Sequence, residues 1–307
     1  MSQLRQNVSG ETSIRFVEKD YRAKFPKLNS IPNRFKSSHK FLMKRMTRII
    51  TFASGKGGTG KTTAVANLGT AMAQLGKKVT ILDADVTMAN LGMMFGLEEE
   101  EITLHDVLAG GASIDQATYT GPAGVKVVPS SISLEGVRRA KLEHLKEAVS
   151  ELVKRTDILL IDSPAGLDLD AITALTLGQE LILVVTPDIA SLSDALKTKI
   201  ISENLGVKPI GIVVTRASDK SVDLPTNQIE SVLDLRVLSV IPEDPEVGHS
   251  IALRKPLVIC EPDSPAAQAF MKLAADLLGL KQRAKPKKAG VEKFTLWPVG
   301  GRKRKSR

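Results

Sequence analysis

The sequence predicts an α/β fold, a doubly wound and mostly parallel sheet with helices on both faces. Strand-like runs that are apolar throughout, such as 158–161 and 181–185, alternate with stretches in which apolar residues recur at helical spacing. A strand that is apolar at every position is buried on both faces, which is typical of parallel sheets covered by helices on each side.

The predicted elements follow one another through a domain at residues 48–280. Strands are predicted at 48–53, 79–82, 125–128, 158–161, 181–185, 210–214 and 237–240. Helices are predicted at 62–74, 134–155, 189–204, 226–233 and 264–280, and Gly76 marks the end of the first. A segment of this length is long enough to bury one large core as a single domain.

The formal net charge of +9 is concentrated at the two ends of the chain. Residues 1–47 contain 11 basic and 3 acidic side chains, and residues 281–307 contain 11 basic and 1 acidic. The domain between them contains 21 basic and 30 acidic side chains, so it is acidic. A high isoelectric point therefore gives no reason to assign nucleic-acid binding to the folded part.

Composition also excludes several classes of protein. The single cysteine, Cys260, excludes a disulfide within the chain and any CxxC-type zinc or iron–sulfur site. No apolar run approaches the ~20 residues that a membrane-spanning helix needs, and the first 30 residues lack the apolar stretch of a signal peptide. We therefore expect a cytoplasmic protein.

Residues 1–47 show no sustained periodicity, which predicts a disordered arm. The alternative is an upstream start codon that was assigned in error, since Met43 and Met46 stand just before the first strand.

The strongest motif lies between the first predicted strand and the first helix. It satisfies GxxxxGK[ST] and consists of Gly55, Lys56, Gly57, Gly58, Thr59, Gly60, Lys61, Thr62 and Thr63. Its glycines let backbone N–H groups converge on phosphate oxygens, and the helix adds the positive end of its dipole. We expect Lys61 to neutralise the β- and γ-phosphates of ATP and the Thr62 hydroxyl to join the Mg²⁺ shell.

Carboxylates end two of the other predicted strands. Asp83 and Asp85 follow the second strand, and Asp162 follows the strand at 158–161. Ligands bind at the carboxyl ends of strands in open α/β sheets. Asp162 has the form of a Walker B aspartate, whose carboxylate holds Mg²⁺ through water, and Gly166 can bring a backbone N–H to the γ-phosphate.

The segment KGGTGKTT resembles the deviant Walker A motif of the MinD/ParA family of P-loop ATPases, and the resemblance covers about residues 48–280. It implies that Lys56 reaches across an ATP-sandwiched homodimer to the partner's nucleotide. It also implies that Asp85 orients or deprotonates the attacking water, and that Asp83 supports the metal.

Further anchors of the resemblance favour the MinD branch. The segments DSPAG at 162–166 and VVTPDIASLSDA at 184–195 resemble MinD sequences. The segments at 213–216 and 241–247 match adenine-side loops, which makes Arg216, Pro242, Glu243 and Asp244 the base-pocket candidates. Relatives that carry iron–sulfur clusters need paired cysteines, and this chain has one cysteine.

The resemblance implies a Mg²⁺-dependent ATPase that hydrolyses ATP to ADP and phosphate. Its ATP-dependent dimer would position cell machinery, such as the division site, with a protein activator or cargo that the sequence does not name. The alternative is a ParA-like DNA-partition ATPase or a flagellar-number regulator that uses the basic ends.

The tail at 281–307 departs from the short amphipathic helix that ends bacterial MinD proteins. Two basic clusters flank an apolar island that contains Phe294, Leu296 and Trp297. Such a segment suits an anionic membrane surface, which would make the protein peripheral on the inner face of the cell membrane. Nucleic acid, or no ligand at all, remains an alternative.

Overall fold

The computed structural model describes residues 47–131, 142–218 and 223–280. One sheet of eight strands crosses the described part of the chain in the order β3-β4-β2-β5-β1-β6-β7-β8. The strands are β1 (Arg48–Ala53), β2 (Val79–Asp83), β3 (Tyr119–Thr120), β4 (Lys126–Val128), β5 (Ile158–Asp162), β6 (Glu180–Val185), β7 (Lys208–Ala217) and β8 (Val237–Pro242). All neighbouring strands pair in parallel except β3, which pairs antiparallel with β4 at one edge.

Nine α-helices lie within the described ranges. They are α1 (Lys61–Gln74), α2 (Leu104–Leu108), α3 (Leu145–Leu152), α4 (Leu169–Leu175), α5 (Ile189–Asn204), α6 (Thr226–Leu233), α7 (Pro245–Ala252), α8 (Leu257–Cys260) and α9 (Pro265–Leu277). None of these helices is long and apolar enough to cross a membrane.

Strand register brings the functional motifs to one edge of the sheet. β1 lies between β5 and β6, with Phe52 opposite Asp162. On the other side of β5, Asp83 of β2 also lies opposite Asp162. The three strands therefore end at the same level, and the segments that follow them meet above the carboxyl edge, as expected for an open α/β sheet.

Helix α1 connects this edge to the core. Most of its length is buried, and its alanines let it pack closely on the sheet beside β2 and β5. Helix α9 covers α1 and β8 from outside, with Phe270 fully buried in the same cluster. The first residues of α1 are thus held by a close-packed interior, which fixes the loop that precedes them.

The predicted fold class is confirmed, and the predicted strands are all present within one to three residues at each end. Of the predicted helix at 134–155, the structure describes residues 142–155: a 3₁₀ turn at Leu142–His144 is followed by α3, and residues 132–141 lie outside the described residues. The predicted arm, apart from Thr47, and the predicted tail at 281–307 also lie outside them.

Candidate nucleotide-binding site

The loop between β1 and α1 presents a row of free backbone donors. No backbone N–H from Gly57 to Thr63 donates to an acceptor within the described residues. Gly58 and Gly60 have φ of 78° and 79°, a left-handed conformation that glycine adopts at little steric cost. Free N–H groups at a helix N-terminus attract anions, so the loop has the chemistry of a phosphate cradle.

Close contacts with neighbouring elements hold this loop in place. A Cβ on Gly55 would lie 2.5 Å from the carbonyl carbon of Asp194 in α5, so a side chain does not fit there. The Thr215 hydroxyl, at the end of β7, lies 2.5 Å from the carbonyl oxygen of Thr59 and donates to it. These contacts fix the glycine-rich loop against α5 and β7.

Lys61 and Asp162 form a buried ion pair beneath the loop. Lys61 Nζ lies 2.5 Å from Asp162 Oδ1, and the side chains are 7% and 1% exposed. A buried charge is costly without its partner, so each of these groups depends on the other. An incoming phosphate would compete with Asp162 for the same ammonium group.

Asp83 is fully buried and organises the loop that follows β2. Its Oδ1 accepts a hydrogen bond from the Asp85 N–H at 3.1 Å, and its Oδ2 accepts one from the Leu91 N–H at 3.2 Å. Burial, and then the nearby Asp162 carboxylate, raise the pKa of Asp83 well above its ordinary value. The predicted metal-site residue thus has both oxygens engaged by backbone donors, which makes it a support for the site.

Asp85 lies two residues further along and reaches the open space above the loop. Its Oδ1 accepts the Met88 N–H at 2.8 Å, which fixes the carboxyl group. Burial raises the pKa of Asp85 from its ordinary value. A carboxyl group held in this way beside a cavity can orient water and accept a proton from it.

Two adjoining cavities share a wall above the loop. The first has a volume of about 410 Å³ and is lined by residues 57–63 together with Asp85. The second has a volume of about 290 Å³ and is lined by Pro242, Glu243, Asp244 and more apolar residues, including Phe270. Both are lined by Gly60, Thr63, Arg216 and Ile251. An elongated ligand with a charged end and a flat end fits this shape.

The base-pocket candidates contribute to the second cavity in different ways. Arg216 has a φ of 51°, a strained conformation for a residue with a side chain, at the wall between the two cavities. Asp244 begins α7: its carboxylate accepts the N–H groups of Glu246 at 3.0 Å and Ala266 at 3.1 Å. Glu243 is exposed, and its N–H donates to the Ala217 carbonyl oxygen at 2.8 Å. Asp244 therefore shapes the pocket through its contacts with α7 and α9.

Lys56 pairs with an aspartate of its own chain. Its Nζ lies 3.2 and 3.3 Å from the two carboxylate oxygens of Asp188. Burial alone would raise the pKa of Asp188, but hydrogen bonds from Thr186, Ser191 and Lys56 outweigh it and lower the pKa. The side chains of Lys56 and Asp188 are 38% and 45% exposed, so water weakens this pair.

Gly166 has a φ of 92° and closes the loop after β5 over the end of β1. Its backbone N–H donates to the carbonyl oxygen of Ser54 at 3.1 Å. The donor that the sequence analysis assigns to the γ-phosphate is thus engaged within the chain.

The donor set fits a nucleotide with Mg²⁺. The hydroxyl of Thr59 is buried in the loop and has no hydrogen-bond partner among the described residues. The Thr62 hydroxyl and the Asp162 carboxylate supply oxygen ligands, which Mg²⁺ prefers, and the Lys61 ammonium and the free N–H groups supply the anion-binding part.

Most of the chain matches the model of a known protein family. Residues 50–257 match the model of the CobQ/CobB/MinD/ParA nucleotide binding domain. The chain belongs to the MinD/ParA family of P-loop ATPases. The predicted family, fold class and ATPase activity are thereby confirmed.

Individual members of the family are closely similar to this chain. An uncharacterized ATP-binding protein of Methanocaldococcus jannaschii is 50% identical over 260 residues, which are 84% of this chain and 98% of that protein. The structure of Pyrococcus horikoshii MinD, complexed with Mg-ADP, is 41% identical with a TM-score of 0.73, covering 75% of this chain and 96% of that one. A MinC:MinD complex of Aquifex aeolicus includes a chain 30% identical with a TM-score of 0.69, covering 78% of this chain and 99% of that one. These similarities place the chain on the MinD branch of the family.

Sequence reasoning missed several supporting residues of the MinD/ParA site. Asp188 contacts Lys56, and Thr215 contacts Thr59. Both residues lie inside segments that resemble the family, 184–195 and 213–216, so the sequence offers a signal by which they could be found. Asn67 had none: it is fully buried in α1, and its side-chain oxygen accepts the Val258 N–H of α8 at 3.0 Å. Only the packing of α1 against α8 reveals that contact.

Proposed function

We propose that the chain binds ATP with its triphosphate over the loop at residues 55–63 and its base in the second cavity, and hydrolyses it to ADP and phosphate. The observation that supports this most strongly is the row of N–H groups from Gly57 to Thr63 that have no acceptor in the described part of the chain, with Lys61 beneath it and Asp85 on the wall of the same cavity. The same cavity thus offers groups that bind phosphate and a carboxylate that can act as the general base.

Binding exchanges one partner of Lys61 for another. The β- and γ-phosphates take the ammonium group that Asp162 holds in the free chain. Asp162 is then free to hold Mg²⁺ through water, together with the Thr62 hydroxyl. When bound, Mg²⁺ draws negative charge from the phosphate oxygens.

Hydrolysis requires a water molecule in line with the γ-phosphorus. Asp85 orients that water and accepts a proton from it as the new O–P bond forms and the bond to ADP breaks. Asp83 holds the backbone of Asp85 in position through its hydrogen bond to the Asp85 N–H. Gly166 senses whether the γ-phosphate is present, because its backbone N–H exchanges the hydrogen bond to the Ser54 carbonyl oxygen for one to a phosphate oxygen.

ATP also drives dimerisation in this proposal. Three exposed apolar side chains follow strands at the nucleotide edge of the sheet: Met88 is 70% exposed, Leu169 60% and Ile189 53%. A second copy of the chain would cover them, which removes apolar surface from water. Lys56 would then leave Asp188 and contact the partner's nucleotide.

The dimer would position other cell components through a protein partner, and the tail at 281–307 would attach it to an anionic membrane surface. Support for a protein partner comes from the Aquifex aeolicus MinD that is described in complex with MinC. Support for the membrane is the basic and aromatic composition of the tail. Nucleic acid is the alternative ligand.

Two substitutions separate ATP binding from hydrolysis. Lys61→Ala removes the cation for the phosphates, so we expect no detectable binding of a fluorescent ATP analogue. Asp85→Asn keeps the shape and the hydrogen bond to Met88, so we expect normal binding and turnover reduced by a factor of about 10²–10⁴. Asp263→Asn, an exposed position on the loop before α9, is the control. Wild-type phosphate release from Asp85→Asn would contradict the assigned role of Asp85.

A further inference from the structure

A buried histidine lies behind the loop that carries Asp85. His105 belongs to the short helix α2, and it is 1% exposed. The helix is fixed at its start, because the Asp106 carboxylate accepts the Thr103 N–H at 2.8 Å and the Leu104 N–H donates to the Pro129 carbonyl oxygen at 2.9 Å. The imidazole is therefore held in place by the backbone that carries it.

The imidazole makes one hydrogen bond at each ring nitrogen. Nδ1 accepts the backbone N–H of Ser131 at 2.9 Å, and Nε2 lies 2.8 Å from the carbonyl oxygen of Val86. A backbone N–H can only donate and a carbonyl oxygen can only accept, so Nδ1 carries no proton and Nε2 carries one. The ring is thus the neutral Nε2–H tautomer, and burial, which lowers the pKa of His105, favours this uncharged form.

Val86 is the residue directly after Asp85. Asp83 fixes the loop through the N–H groups of Asp85 and Leu91, and His105 fixes it through a carbonyl group. Val86 is 4% exposed, and among the described residues the imidazole is the hydrogen-bond donor to its carbonyl oxygen, so this oxygen would lose that donor without the imidazole. An unpaired buried carbonyl is unfavourable, and the peptide group would rotate toward another donor. Such a rotation would move the neighbouring Asp85.

We propose that His105 is a positioning residue for hydrolysis: it holds the Val86 peptide so that the Asp85 carboxylate meets the attacking water. The proposal rests on the proposed role of Asp85. Because neither hydrogen bond of His105 involves a residue of the phosphate cradle, the imidazole acts on turnover and leaves nucleotide affinity unchanged.

Two substitutions remove one hydrogen bond each. In His105→Gln the amide nitrogen, which is two bonds from Cγ as Nε2 is in the imidazole, takes the place of Nε2 and keeps the bond to Val86. In His105→Asn the amide oxygen, attached to Cγ, takes the place of Nδ1 and keeps the bond to Ser131. Both side chains are polar and smaller than imidazole, so a loss of stability common to the two variants reports a structural effect alone.

The experiment measures kcat, the affinity for a non-hydrolysable ATP analogue and the melting temperature of both variants and of Asp85→Asn. A displacement of about 1 Å at a reacting group costs up to roughly 10²-fold in rate. We therefore expect kcat of His105→Asn to fall by about tenfold or more with unchanged analogue affinity, while His105→Gln retains most of its turnover. In the Asp85→Asn background, His105→Asn should lower the residual turnover no further.

The possible failures are distinguishable. Equal turnover in His105→Asn and His105→Gln, with the expected loss of turnover in Asp85→Asn, overturns the positioning role alone. A further fall of kcat in the double variant also overturns it, because His105 would then act on another group. If Asp85→Asn keeps wild-type turnover, the proposed role of Asp85 is wrong, and the positioning role falls with it.

Discussion

Lys56 is the residue that would exchange one partner for another in the proposed dimer. In the structure its ammonium group faces Asp188 of the same chain, and both side chains are more than one-third exposed. Exposed ion pairs contribute about 0.2–1 kcal/mol. The pair therefore holds Lys56 weakly, and in the proposed dimer it would release Lys56 at little cost when the partner's phosphates offer more negative charge.

This weak pair leads to opposite expectations for its two members. Lys56→Ala should bind nucleotide normally and stay monomeric with ATP, because it lacks the cation for the partner's nucleotide. Asp188→Asn should dimerise at a protein concentration lower by at most about fivefold, the equivalent of roughly 1 kcal/mol. Asparagine is also a good N-cap, so α5 should keep its first turn.

Sedimentation velocity with a non-hydrolysable ATP analogue measures both effects. Lys197→Ala, whose lysine pairs with Asp194 at 2.8 Å on α5, is a matched control that breaks a partly exposed ion pair of the same helix. A full ATP-dependent dimer from Lys56→Ala would refute the role of Lys56 across the interface.

At the level of elements, the contact between the phosphate loop and α5 depends on the missing side chain of Gly55. An added Cβ would meet the backbone of Asp194 at 2.5 and 2.7 Å, and backbone cannot swing away as a long side chain can. Gly55→Ala must therefore push the loop away from α5. Overpacking of this kind costs about 1–3 kcal/mol.

We expect Gly55→Ala to lower the free energy of unfolding by that amount and to weaken ATP binding, since the cradle moves with the loop. Gly57→Ala is the matched control for stability: a Cβ there meets nothing within 4 Å, and its φ is not left-handed. Chemical denaturation without nucleotide compares the two variants. Equal stability of both would show that the loop moves away from α5 without cost.

The elements that the sequence predicts best are those with a strong local signal. Buried strands such as β5 and long helices such as α5 carry unbroken apolar or periodic patterns, so their bounds agree with the structure within a residue or two. Helices α2 and α8 have five and four residues, too few for a period to emerge, and β3 has two. These short elements are defined by tertiary hydrogen bonds, as α2 is by Pro129.

The same distinction applies to the site. The glycines and carboxylates of the phosphate site stand in linear motifs, so the sequence predicts them, and the structure brings Lys61, Asp162 and Asp83 to one edge of the sheet. The partners of these residues depend on contacts far apart in the chain. His105 contacts Val86 across 19 residues, and Asn67 contacts Val258 across 191, which no local pattern encodes.

At the level of the whole molecule, charge separates the folded domain from its ends. Residues 48–280 contain more acidic than basic side chains, so the domain alone would be repelled by an anionic surface. The tail at 281–307 has 11 basic side chains and 1 acidic. A basic residue near an anionic membrane contributes about 1 kcal/mol. Because the domain opposes this attraction, one tail would bind weakly, and two tails in an ATP dimer would bind far more strongly.

Co-sedimentation tests this with the full chain and with residues 1–280. We expect the full chain to sediment with anionic vesicles in ATP and much less in ADP, and the shortened chain to stay in solution in both. Vesicles of neutral lipid and a DNA duplex at the same salt concentration are the controls. Binding to DNA with a steep fall in affinity as salt increases, without binding to vesicles, would favour the nucleic-acid alternative. Equal binding to vesicles in ATP and in ADP would show that membrane binding by the tail does not depend on dimerisation, because two coupled tails require the ATP dimer.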